Sequence, residues 1–144
     1  MGDRPTTTVD LSWEGGLKFS AKDAYGHHVA VDAPAANGDA FDGFKPGELL
    51  LTSLAACSGI DAVGILRKQR QEVTGIDIRI TGAQNPNPPW TWEEVDLHYV
   101  VRGRGLKMPS VERAIHLSET RYCSVGATIG AVTEIRSTIE IVED

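Results

Sequence analysis

Residues 49–70, LLLTSLAACSGIDAVGILRKQR, constrain this chain more than any other stretch. Their apolar side chains fall on most of the circumference of a helix predicted over about 46–70, and Pro46 suits its first position, where the missing N–H is harmless. Such a helix is roughly 37 Å long. A helix apolar all round belongs in a larger core, and a domain this small has little sheet with which to cover it, so a second subunit is expected to help. At its centre stand a thiol, Cys57, and a carboxylate, Asp61, four residues apart and on one face. Burying a polar group without a partner costs on the order of 2–7 kcal/mol. The pair therefore needs either a structural partner or a function to justify it.

With 144 residues the chain reads as one domain, 1–144, able to bury about 68% of its unfolded surface without disulfide staples. A net charge of −6 argues against nucleic acid as a partner, since phosphate contacts need clustered Lys and Arg. Only Arg67, Lys68 and Arg70 cluster, at the end of the predicted helix, where they complement its dipole. The start, MGDRPTTTVDLSW, has no apolar run of the secretory kind. Thr52, Ser53, Ser58 and Asp61 break up residues 49–66, so no run of 18 uninterrupted apolar residues marks a membrane span. A cytoplasmic protein with no membrane partner is expected, its two cysteines reduced or redox-active rather than a permanent staple.

Alternation predicts strands at 7–13, 17–21 and 27–33, the first two joined by a turn at Glu14-Gly15-Gly16. Residues 34–45 read as a loop. Further strands are predicted at 73–82 and 91–102, with AQNPNPPW between them too long for a tight hairpin. A second helix follows Pro109 over about 109–120, and a closing strand occupies 133–143. The order β-β-β-α-β-β-α-β is an α+β class.

The second thiol, Cys123, lies 66 positions beyond Cys57, and the two form no CxxC. Each is readable as a small buried hydrophobe. The small residues Ala55, Ala56, Ser58 and Gly59 around Cys57 leave room for a substrate or, equally, for close packing. His27, His28, His98 and His116 make no ligand-spaced pair with a cysteine, so no metal is expected, and no motif implies a cofactor: GxSxG, HExxH and a phosphate loop are absent.

The segments KPGELLLTSLAACSGIDAVGILRKQR and VERAIHLSETRYCSV together resemble the OsmC/Ohr family of organic hydroperoxide-detoxifying proteins, most closely the branch with an Asp four residues after the first cysteine. The resemblance runs from DAYGHHVAVDAP to the last strand. It implies the OsmC-like fold, an intertwined homodimer and a thiol peroxidase. Cys57 would be the peroxidatic thiolate, its sulfenic acid condensing with Cys123 to a disulfide. A dithiol reductant, dihydrolipoyl in the Ohr relatives, would reopen the bridge. Active relatives use an Arg from an N-terminal loop and a Glu directly after the helix-opening proline. Here Gly47 takes the latter position with Glu48 one step later, and no Arg beyond Arg4 lies in the N-terminal region. Glu48, Asp61, Arg121 and His27 are the candidate supporting residues. The alternative within the same fold is a non-catalytic dimer that binds a small apolar ligand or senses oxidants.

Overall fold

A computed structural model describes residues 2–38 and 40–144. Met1 and Asp39, the latter within the predicted 34–45 loop, lie outside the described residues. Two compact units meet in sequence between Leu50 and Leu51.

In the first unit β1 (Asp10–Trp13), β2 (Phe19–Lys22) and β3 (His28–Val31) form an antiparallel meander, each shorter than its predicted range. Gly15 and Gly16 adopt φ of +98° and +54° in the predicted turn, a conformation that side chains resist. The Glu14 N–H closes it by donating to the Lys18 carbonyl at 2.8 Å. The register sets Trp13 opposite Phe19, Leu11 opposite Ala21 and Ala21 opposite Val29, which gathers these side chains on one face. That face is exposed in the single chain: Leu11 57%, Trp13 66%, Val29 44%.

Helix α1 (Pro46–Lys68) runs from the first unit into the second, where β4 (Glu72–Gln84), β5 (Trp92–Arg104), α2 (Met108–Leu117), a π-helical turn (Ser118–Tyr122), α3 (Ser124–Ile129) and β6 (Glu134–Glu143) follow. β5 is the central strand, antiparallel to β4 and parallel to β6. A parallel neighbour requires a crossover, supplied by α2 and α3. Alternation along β5 buries Val95, Leu97, Tyr99 and Val101 on one face. They share a core with Leu54, Ala62 and Leu66 of α1 and with Val111, Ala114 and Ile115 of α2. The long connection over residues 85–91 joins β4 to β5, as its length predicted, with a cis bond between Pro88 and Pro89.

The end of the second helix and the segment after it differ from expectation. The second helix ends at Leu117 rather than 120, because the chain widens into the π turn, where Thr120 Oγ1 donates back to the His116 carbonyl at 2.7 Å. The short α3 then forms where only a connection was predicted. Helix α1, for its part, is not buried all round within its own chain. Leu54, Ser58, Ala62 and Leu66 make one buried stripe at i, i+4 spacing, while Ile60 stays 73% exposed. By length and composition α1 could cross a membrane, but this stripe packs into the protein core.

Candidate functional site

Cys57 and Asp61 occupy one face of α1, a turn apart, and Cys123 is delivered to them by the end of the π turn. The two sulfurs and one Asp61 carboxylate oxygen all lie within 4.8 Å of one another. The position of Cys123 is fixed on both sides by backbone hydrogen bonds. Its N–H donates to the Ser118 carbonyl at 2.8 Å, and its Sγ accepts from the Gly126 N–H at 3.2 Å as the N-cap of α3. Cys123 is 3% exposed, while Cys57 and Asp61 are half-buried.

The charged interruption of α1 has its partner in the π turn. The buried Ser118 hydroxyl donates to Asp61 Oδ2 at 3.0 Å and lies 3.5 Å from both Ser58 Oγ and the Ser58 carbonyl. Ser58 Oγ in turn bonds Tyr99 Oη at 2.5 Å. A chain of hydroxyls thus leads from the carboxylate into the core, and each buried polar atom along it has a partner.

Burial first, and then its hydrogen bond to Cys57, push the Cys123 thiol up to about 11, against the Gly126 N–H. Cys123 therefore keeps its proton at neutral pH and donates toward Cys57. Tyr99 is pushed up to about 12, by burial first, with the Ser58 bond opposing. Both are acids held neutral by the fold. The stability they contribute is complete below their ordinary values of 9.0 and 10.0 and is lost as pH climbs toward the raised ones. The urea midpoint of the reduced protein is expected to fall between pH 8 and pH 11; a constant midpoint would contradict the burial of these two groups.

Two openings flank the cluster. Cys123 borders a cavity of about 330 Å³ whose walls include Leu54, Leu97, Ile135, Ser58, Tyr99 and Glu119; the Glu119 carboxylate accepts a hydrogen bond from Ser137. Asp61 borders a surface recess of about 540 Å³ shared with Lys68 and Tyr122.

The remaining sequence-predicted residues have local roles. Glu48, in the first turn of α1, accepts from the Lys45 N–H at 2.9 Å. His27 holds the β2–β3 turn: its ring Nδ1 lies 2.7 Å from Asp23 Oδ2 and its N–H donates to Asp23 Oδ1 at 2.8 Å. These bonds hold the Asp23 carboxyl down at about 2. Arg121 is exposed in the π turn, and among the described residues it forms no ion pair with Asp61. Ser118 and Tyr99 escaped the sequence reading. The one available signal was Ser58, a polar residue on the stripe that Leu54, Ala62 and Leu66 bury.

Comparison with known proteins bears on the fold and the family. A family model described as OsmC-like protein matches residues 36–138. Protein YhfA of Escherichia coli K12 is 34% identical over 132 residues, covering 92% of this chain and 96% of that protein. Among solved structures, a hypothetical protein from Aquifex aeolicus VF5 superposes with a TM-score of 0.87 at 30% identity, covering 98% of this chain and 99% of the other. An organic hydroperoxide resistance protein from Elizabethkingia anophelis superposes with a TM-score of 0.72 at 18% identity, covering 99% and 100% of the two chains, a likeness of fold.

Proposed function

The chain belongs to the OsmC-like protein family, and on that premise we propose that it is a thiol-dependent peroxidase that reduces organic hydroperoxides through Cys57 and Cys123. The Cys57 thiolate attacks the distal peroxide oxygen, the O–O bond breaks, and the organic fragment leaves as an alcohol after taking a proton. Cys57 is left as a sulfenic acid. Cys123 then attacks that sulfur, water leaves, and a Cys57–Cys123 disulfide remains. A dithiol of the lipoyl type reopens it by two exchange steps, becoming a disulfide itself.

The observation that carries this reading is the approach of the two sulfurs to within 4.8 Å although 66 positions separate them in sequence. The raised Cys123 thiol supports the assignment of roles: the residue that keeps its proton serves as hydrogen-bond donor, leaving Cys57 as the nucleophile. Leu54, Leu97 and Ile135, in the cavity that Cys123 borders, favour an organic peroxide over hydrogen peroxide.

The protein works as an intertwined cytoplasmic homodimer in this reading. Two apolar surfaces support a second copy: the exposed face of the β1–β3 meander, and an open groove of about 700 Å³ along α1 and β4 lined by Ile60, Val63, Ile76 and Ile78. Sedimentation should give twice the chain mass. For the activity, the reduced protein is mixed with cumene hydroperoxide and excess dihydrolipoamide. Catalytic consumption of the peroxide is expected; a rate equal to that of the dithiol alone would reject the peroxidase. One observation favours the second reading, a non-catalytic binder or oxidant sensor of the same fold. Asp61 stands beside both sulfurs, and a carboxylate there disfavours another negative charge. Absence of turnover together with an unmodified Cys57 would select that reading.

A further inference from the structure

The same trio has a chemistry that hydroperoxide reduction does not use. We propose that Cys57, Asp61 and Cys123 form a three-ligand site for a single zinc ion. Their donor atoms, two sulfurs and one carboxylate oxygen, lie within 4.8 Å of one another, close enough for one cation to touch all three after small side-chain rotations. Two thiolates with a carboxylate suit a d10 cation of borderline softness, and three protein ligands leave a fourth tetrahedral position for water. The histidine spacing that argued against a metal does not bear on this set, because Cys123 joins α1 only through the π turn.

Three features make the site more than a chance cluster. Ser118, fully buried, donates to Asp61 Oδ2 at 3.0 Å and so orients the carboxylate, the role of an outer-shell partner in zinc centres. Among the described residues of the Leu51–Asp144 unit, no Lys, Arg or His forms an ion pair with Asp61, so a cation beside it would supply the missing positive charge. Asp61 also borders the recess of about 540 Å³, which leaves one ligand of the set reachable from the surface.

Binding converts two thiols to zinc thiolates and releases up to two protons to solvent. Affinity therefore rises with pH. A zinc-bound sulfur is a weaker nucleophile than a free thiolate, so attack on an oxidant is slowed without being abolished. Where the peroxidase reading holds, the ion is thus a reversible inhibitor: one organic hydroperoxide and two protons convert the zinc dithiolate to a disulfide, an alcohol, water and free zinc. The binding itself does not rest on that reading.

The test is a zinc sulfate titration of the full-length reduced protein against a chromophoric chelator, with no hydroperoxide present. One zinc per chain is expected, with both thiols protected from iodoacetamide as read by mass. Cys57→Ser and Cys123→Ser should each weaken binding by more than about 100-fold, and Ser118→Ala by about 10-fold, the scale of outer-shell losses. Asp61→Asn should fall between them. Cobalt(II) in the unmodified protein should give a sulfur-to-metal charge-transfer band, which needs no variant to fold. Failure of the reduced protein to retain zinc, absence of that band, or equal affinity in the Cys and Asp61 variants would overturn the site. Because hydroperoxide is absent, none of these results depends on whether the protein is a peroxidase.

Discussion

Replacing Cys57 by serine is expected to lower hydroperoxide turnover by on the order of 10³-fold or more, a loss of about 4 kcal/mol of transition-state stabilisation. A hydroxyl is not ionised at neutral pH and cannot form the sulfenic acid, so the first step has no substitute nucleophile within the cluster. Serine is nearly isosteric, and Cys57 is only half-buried, so the fold should survive. Cys123→Ser should behave differently. It retains the attacking thiol and consumes about one equivalent of peroxide, then stalls with an oxidised Cys57 that no partner thiol resolves. Initial rates with excess dihydrolipoamide separate the two variants. Wild-type turnover in Cys57→Ser would remove that residue from the mechanism.

The largest expected loss of stability comes from Leu66→Ala. Leu66 is fully buried at the inner end of the α1 stripe, in the core shared with β5 and α2. Truncation there loses the transfer energy of the side chain and leaves a cavity, about 3 kcal/mol together, which in a chain of this size lowers the melting temperature by roughly 10 °C. Calorimetry reads it directly. Ile60→Ala is the informative contrast, because Ile60 is 73% exposed in the single chain. Its cost should come through the partner copy and so depend on protein concentration. A concentration-independent cost as large as that of Leu66→Ala would count against the dimer surface along α1.

The alternating and helical periodicities made most elements legible. α1, β4, β5 and β6 lie within a few residues of their predicted ranges, since each has one face that the core must bury. The pairing of Cys57 with Asp61 was also legible, being a matter of helical spacing. Local chemistry revealed less of the rest. The π turn and α3 carry no apolar period, and the N-cap of α3 is a cysteine, which is not among the usual capping residues. Ser118 and Tyr99 carry no distinguishing pattern in the sequence. Their roles arise only when the end of α2 and strand β5 meet α1. The meeting of Cys123 with Cys57 came from the family resemblance, because a separation of 66 positions has no local signature.

A single measurement bears most directly on the peroxidase. Reduced protein is treated with one equivalent of cumene hydroperoxide without reductant, quenched with an alkylating agent, and its mass and peptides are determined. The expected product is lighter by two hydrogens, with a peptide joining Cys57 to Cys123 and neither thiol alkylated. An unchanged mass with both thiols alkylated, or oxygen added at Cys57 while Cys123 remains open to the alkylating agent, would contradict the two-cysteine cycle.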